Sequence, residues 1–116
     1  MIGILRTTVF QKKVYEALRK VPRGSVTTYK ALARHIGCGS CRAVGQALRR
    51  NPFAPEVPCH RVIASDLTPG GFQGRRRGRP IACKLRLLAE EGVGFDDGKL
   101  ADRTKLFVFP GGSPVE

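Results

Sequence analysis

Apolar residues recur at helical spacing in four stretches of this chain. The first stretch follows Thr7 or Thr8 and the second follows Thr28, and a threonine hydroxyl can accept a hydrogen bond from the free N–H groups at a helix start. The last stretch stops at Gly92, a residue suited to the position just after a helix. The predicted helices are one between Thr8 and Pro22, then 29–36, 41–49 and 81–91.

Extended segments are short by comparison. We predict them at 25–27 and 62–64, and Asp96-Asp97-Gly98 indicates a possible hairpin. The helices 29–36 and 41–49 are joined by a glycine-containing turn, a helix-turn-helix pattern. The expected fold is therefore mainly α with short strands, in one domain over residues 1–116. We expect its core at about 8–92 and a C-terminal tail over 93–116.

The charge of the chain is strongly positive. Lys and Arg total 21 against 9 Asp and Glu, giving a net charge of +12 and a pI near 10.5. Small domains usually carry about 2–8 net charges, so the excess indicates a polyanionic partner, and nucleic acid is favoured over a membrane surface. No apolar run approaches the roughly 20 residues of a membrane span, and no signal-peptide core is present. A cytoplasmic location, or a nuclear one in a eukaryote, is expected.

The third helix and one loop concentrate features that suit DNA. Arg42 and Arg49 lie on that helix together with the small residues Ala43 and Gly45, which permit close approach to a duplex. The loop 74–80 is a glycine-arginine run, which is commonly solvated or disordered, and on a DNA-binding surface its arginines would contact phosphates. A plain helical hairpin with a solvated basic face remains an alternative, and the net charge favours DNA.

The segment Val57-Pro58-Cys59-His60-Arg61-Val62-Ile63 carries the chemistry. Cysteine attacks as the thiolate, and a free thiol is mostly protonated at neutral pH. A neighbouring base or cation corrects this by accepting the proton or stabilising the anion, as His60 and Arg61 could. From these residues alone, a buried structural cysteine is an equal alternative.

Several short motifs, in order, resemble one known family. They are Thr28-Tyr29 with Leu32-Ala33, Arg42-Ala43-Val44-Gly45, Arg49-Arg50-Asn51-Pro52, Pro58-Cys59-His60-Arg61-Val62, Gly71-Phe72 and Leu87-Leu88-Ala89-Glu90-Glu91-Gly92. The chain resembles the C-terminal, DNA-binding and catalytic domain of the O6-alkylguanine-DNA alkyltransferases over about residues 8–92. The resemblance implies a winged-helix-like helix-turn-helix domain, and the family's usual N-terminal domain is expected to be absent.

The resemblance also implies roles for individual residues. The Cys59 thiolate would attack the alkyl group of a flipped guanine, with His60 as base through a water and Glu91 orienting it. Tyr29 would crowd the target phosphate and offer a proton to the departing guanine, while Arg42 would fill the vacated base stack. Val62 and Gln73 would read the base edge, and Asn51 would tie the helix-turn-helix to the cysteine segment. The expected DNA contacts are Arg42, Thr28, Ala43, Gly45, Arg49, Arg61, Arg75 and Arg76.

The implied partner is double-stranded DNA containing O6-alkylguanine, bound through its minor groove, with no cofactor, no metal and one repair per molecule. A monomer is expected, with clustering on DNA left open. Cys38 and Cys41 could form a local disulfide, help bind zinc or be incidental, and zinc is disfavoured because no second ligand pair accompanies them. Two rival functions are a damage sensor and a transcription regulator; sensor relatives carry tryptophan or alanine in place of Cys59, which favours repair.

Overall fold

The structure, a computed structural model, describes residues 8–51, 56–71 and 78–109. Within these residues the chain is a mainly helical small domain with short strands, as the apolar pattern predicts. None of the helices described is long and apolar enough to cross a membrane. In chain order the elements are α1 (Val9–Leu18), β1 (Thr27–Thr28), α2 (Tyr29–His35), α3 (Cys41–Arg49), the 3-10 turn Cys59–Arg61, β2 (Val62–Ile63), α4 (Arg79–Glu90), β3 (Phe95–Asp96), β4 (Lys99–Leu100) and the 3-10 turn Arg103–Lys105.

Hydroxyl groups cap the first three helices, at Thr8 and Thr28 as the sequence predicts and also at Ser40. The Thr8 hydroxyl accepts a hydrogen bond from the backbone N–H of Gln11, and the Gln11 side chain accepts one from the Thr8 N–H, both at 3.0 Å. This capping box satisfies two of the N–H groups that a helix start leaves free. Thr28 caps α2 and Ser40 caps α3 through single hydrogen bonds of 3.0 and 3.1 Å.

Two details of the helices differ from the expectation. The helical spacing of apolar residues in α1 includes Val9, but this residue is 75% exposed because it lies in the first turn, away from the core. The last helix begins at Arg79, two residues before the predicted start, since the fixed φ of Pro80 suits a first helical turn. Only Lys84 and Leu88 of α4 are buried, and Ile81, Leu85 and Leu87 are half-buried.

The strands separate two hydrophobic clusters. β1 and β2 pair in parallel, with Thr27 opposite Val62 and Thr28 opposite Ile63. Successive strand residues face opposite sides, so Val62 packs in a cluster with α1, α2 and α3 while Ile63 packs in a second cluster with Leu88. The larger cluster contains Val14, Tyr15, Ala17, Leu18, Val21, Leu32, Ala33, Val44, Ala47, Leu48, Val57, Val62 and Phe109.

Residues 93–109 contribute to the core, which corrects the expected core boundary at 92. The predicted hairpin is present as β3 and β4. Beyond the hairpin, the backbone of Val26 hydrogen-bonds to that of Lys105 and Phe107 at 2.9 and 2.7 Å. Residues 105–107 therefore pair with the residue just before β1. Phe109 is buried and stacks on His35 with ring centroids 4.2 Å apart. Both clusters therefore draw on residues that the apolar pattern assigned to a tail.

Candidate active site and DNA-contact surface

The thiol of Cys59 is presented from a turn fixed at both sides. The 3-10 turn Cys59–Arg61 follows Pro58 directly and runs into β2. The Asn51 side chain, just after α3, donates a hydrogen bond of 2.9 Å to the carbonyl of Val57. Asn51 therefore ties the helix-turn-helix to the cysteine segment, in the position that the resemblance implies.

The end of α4 brings Glu91 to this turn. Gly92 has φ +83°, and its N–H bonds to the carbonyl of Ala89 at 3.0 Å while the N–H of Val93 bonds to that of Leu88 at 2.8 Å. These two bonds form a Schellman motif, which closes the helix with a left-handed residue just after its cap. Leu88 and Val93 are both buried, so the helix end is anchored and Glu91, its cap residue, has a defined place.

Glu91 meets His60 and Arg61 inside the protein. The carboxylate oxygen Oε2 lies 2.9 Å from His60 Nε2, and the side chains of both residues are less than a tenth exposed. Burial by itself raises the pKa of Glu91, but hydrogen bonds and positive charge from Arg61 and His60 outweigh it and lower the pKa from 4.5 to about 2. Glu91 is therefore an anion at neutral pH and is a hydrogen-bond partner of His60, and when His60 carries a single proton, on Nε2, its Nδ1 has a free lone pair.

Arg61 occupies a different place from the one expected of a DNA contact. Its Nε and Nη2 donate to the two oxygens of Glu91 at 2.9 Å, and its Nη1 donates to the carbonyl of Val21 at 2.9 Å. The expectation of a phosphate contact is corrected by this geometry, because the guanidinium is largely buried and directed inward. Arg61 holds Glu91 instead, and Arg23 lies on the outer side of the same carboxylate at 3.8 Å.

The environment of Cys59 acts on its thiol in two directions. Burial raises the pKa of Cys59, and this effect is opposed by a hydrogen bond from Asn51 and by the charge of Lys84. On balance the pKa lies above the ordinary value, so the resting thiol is protonated at neutral pH. An adjacent base is then needed to make the thiolate, and His60 is the next residue in the same turn.

Lys84 is the residue of this site that the sequence analysis missed. Its side chain is fully buried, and its Nζ donates to the carbonyls of Val62, Pro69 and Gly71 at 2.6, 2.6 and 2.9 Å. Burial lowers the pKa of Lys84 from 10.5 to about 8, although the charge of Cys59 acts in the other direction. The sequence held one signal, a lysine four residues before the buried Leu88 and therefore on the same helix face.

Tyr29 lies against the loop that Lys84 holds. Its hydroxyl donates to the carbonyl of Gly71 at 3.4 Å. Gly70 has φ +74°, and a Cβ added there would lie 3.2 Å from both Tyr29 Cε2 and the backbone nitrogen of Ala64. Only glycine fits this position without displacement, so the loop, Tyr29 and the chain after β2 pack closely together.

The face of α3 turned away from the core carries the expected DNA residues. Val44, Ala47 and Leu48 are buried, whereas Arg42 and Arg49 are exposed. Ala43 and Gly45 are half-buried, and a Cβ on Gly45 would meet nothing within 4 Å. No internal contact among the described residues thus requires glycine at position 45.

Other expected residues are placed differently or lie outside the described residues. Thr28 is 5% exposed and its hydroxyl caps α2, so the expectation of a DNA contact through that hydroxyl is corrected. Gln73, Arg75 and Arg76 lie outside the described residues. Within the described ranges no three His, Cys, Asp or Glu side chains are grouped to hold a metal. All four cysteines are free thiols, which excludes the local disulfide between Cys38 and Cys41 in this structure.

Comparison with known proteins identifies the family. The sequence model described as 6-O-methylguanine DNA methyltransferase, DNA binding domain, matches residues 9–93. The chain belongs to this family. A methylated-DNA–protein-cysteine methyltransferase of Methanothermobacter thermautotrophicus is 44% identical over 89 residues, which cover 77% of this chain and 47% of that protein. The chain thus spans about half the length of the curated methyltransferases it matches.

Solved structures of the methyltransferase family show the same fold. OGT of Mycobacterium tuberculosis in complex with DNA matches with a TM-score of 0.66 and 41% identity, over 74% of this chain and 51% of that one. Atl1 of S. pombe, in complex with damaged DNA containing O6-carboxymethylguanine, matches with a TM-score of 0.75 and 32% identity. That match covers 89% of this chain and 98% of Atl1.

Proposed function

We propose that this protein repairs O6-alkylguanine in double-stranded DNA by moving the alkyl group irreversibly onto Cys59. The observation that carries the proposal is the inward-facing set of Cys59, His60 and Glu91, in which a half-buried thiol adjoins a histidine whose Nε2 lies 2.9 Å from a carboxylate. The family membership and the 44% identity to a methylated-DNA–protein-cysteine methyltransferase support it.

The proposed reaction is a single displacement. His60 accepts the Cys59 proton through a water, and Glu91 stabilises the imidazolium that forms. The thiolate attacks the alkyl carbon, the S–C bond forms and the C–O6 bond breaks. The bonding pair goes to the guanine, which takes a proton from Tyr29 as it leaves. The product is a thioether, which ordinary side chains cannot cleave, so each molecule acts once and needs no cofactor.

DNA binding in the proposal uses the exposed face of α3. Arginines there meet the phosphates, and Arg42 enters the space left when the alkylated guanine leaves the stack. Extruding a base costs a few kcal/mol, and less for a weakly paired lesion, so the step itself favours damaged sites. The half-buried Ala43 and Gly45 allow the helix to approach the minor groove closely. The net charge of +12 supports electrostatic binding to DNA, so the affinity for DNA should fall as the salt concentration rises.

A second candidate function is damage sensing without transfer. The structural match to Atl1, which was solved with damaged DNA containing O6-carboxymethylguanine, favours it, with a TM-score of 0.75 against 0.66 for OGT of Mycobacterium tuberculosis. A sensor would bind O6-alkylguanine and leave Cys59 unmodified. Cys59 itself favours transfer, because a sensor that moves no alkyl group does not need a nucleophile next to a hydrogen-bonded pair of His60 and Glu91.

Intact-protein mass spectrometry separates the two functions. The protein is incubated with a duplex containing O6-methylguanine and then digested for peptide mapping. Transfer predicts one added methyl group per molecule, on Cys59, and none in the Cys59→Ser variant, which should still bind the lesion. Cys41→Ser is the matched control, because Cys41 is exposed on α3 and its loss should leave transfer intact. Tight lesion binding with no mass gain would establish the sensor.

A further inference from the structure

A buried lysine connects the strand that follows Cys59 to the loop that contacts Tyr29. The ammonium of Lys84 has three donors, and the carbonyls of Val62, Pro69 and Gly71 accept from it. Val62 belongs to β2, which continues directly from the Cys59 turn, whereas Pro69 and Gly71 belong to the loop that contacts Tyr29. A single cation therefore links the segment of the nucleophile to the loop beside the tyrosine.

Packing alone gives no reason for a charge at this position. Removing an ammonium from water is costly, and a methionine or leucine would fill a space between α4 and β2 without that cost. The neighbouring core residue Leu88 shows that this helix face accepts an apolar side chain. A buried charge that is held by neutral carbonyls keeps its field, and Cys59 is the titratable group that this field acts on.

We propose that Lys84 is a positioning residue that holds the 69–71 loop against β2 and stabilises the Cys59 thiolate by its charge. The proposal rests on the function proposed above for Cys59. It assigns two separable effects to one side chain. The hydrogen bonds set the place of Gly71, whose carbonyl also accepts from Tyr29, and the charge favours the anionic form of the thiol.

The charge effect is tested without DNA, by the reaction of Cys59 with iodoacetamide across a pH series. Peptide mapping reports each cysteine separately, so Cys38 and Cys41 serve as internal controls. Lys84→Met should lower the Cys59 rate about tenfold at pH 6–7, where Lys84 is charged, and leave it unchanged well above pH 8, where Lys84 is neutral in the parent protein too. The profiles of Cys38 and Cys41 should not move. An unchanged Cys59 profile in folded Lys84→Met would overturn the charge effect.

The positioning effect is tested with Lys84→Arg, which keeps the charge but presents a planar fork that cannot direct three donors at the same three carbonyls. We expect a Cys59 iodoacetamide rate at pH 6–7 close to that of the parent protein, and methyl transfer from O6-methylguanine DNA at least tenfold slower. Transfer at the parent rate in this variant would overturn the positioning effect. If the parent protein transferred no methyl group while both iodoacetamide results held, the proposed function would fail and the charge effect would stand.

A reciprocal measurement covers the case in which Lys84→Met does not fold. Coupling between two titrating groups is mutual, so the Cys59 thiolate must raise the pKa of Lys84 by as much as Lys84 lowers that of Cys59. The Lys84 ammonium is titrated by NMR in the parent protein and in Cys59→Asp, whose carboxylate supplies a negative charge throughout the Lys84 titration. We expect a higher Lys84 pKa in Cys59→Asp, and equal values in the two proteins would overturn the charge effect.

Discussion

Replacing Glu91 by glutamine removes one negative charge and keeps the shape of the side chain. The carboxyl has a pKa of about 2 in the folded protein against 4.5 for a free group. At about 1.4 kcal/mol per pH unit, this difference corresponds to about 3 kcal/mol of stability at neutral pH. Glutamine resembles the protonated acid, so Glu91→Gln should lower the free energy of unfolding at pH 7 by about 3 kcal/mol, because it leaves the largely buried Arg61 without its counter-ion.

The pH dependence gives the sharper test. The pKa of Glu91 is lowered on folding, so its contribution is complete above about pH 4.5, the unfolded value, and is lost as pH falls through about 2. Urea unfolding followed by circular dichroism, from pH 7 down to pH 2, measures the free energy for the parent protein and for Glu91→Gln. The difference between them should stay near 3 kcal/mol above pH 5 and approach zero near pH 2.

Glu90→Gln is the matched control, since Glu90 is the preceding residue, is exposed and carries the same charge. Its unfolding free energy should follow that of the parent protein within about 0.5 kcal/mol at every pH. A difference between the parent protein and Glu91→Gln that does not change between pH 5 and pH 2 would refute the assignment of the lowered pKa to Glu91. It would mean that the loss came from packing.

Arg42→Ala should weaken binding to O6-methylguanine duplex far more than binding to undamaged duplex, measured by fluorescence anisotropy at fixed salt; an equal loss on both would make Arg42 a phosphate contact. Arg19→Ala, an equal loss of charge at the end of α1, should weaken both duplexes slightly and alike. Tyr15→Phe should cost about 1–3 kcal/mol in thermal or urea unfolding, because a buried α3 carbonyl loses its 2.7 Å hydrogen bond. Gly70→Ala should cost about 1–2 kcal/mol, because φ there is +74°, and should slow transfer by displacing the loop; parent-like stability would show that the loop adjusts freely.

Local signals in the sequence predicted the helices well. Thr8 and Thr28 act on N–H groups three residues ahead, and Gly92 acts on the turn just before it, so each signal is complete within a few residues. The pairing of Cys59 with a following histidine is also local. The resemblance added Glu91 and Asn51, and the structure places both beside the Cys59 turn, with their roles left as predictions.

The sequence by itself determined the helix-turn-helix, the reactive segment and the positive charge of this protein, because caps, spacing and composition act over short distances. Only the tertiary structure decided that Arg61 turns inward to Glu91, thirty residues away, and that Lys84 is buried on the carbonyls of two other segments. The sequence alone does not distinguish an arginine or lysine that faces water from one that donates to a buried acceptor. Its direction depends on which distant groups the packed core brings within hydrogen-bond reach.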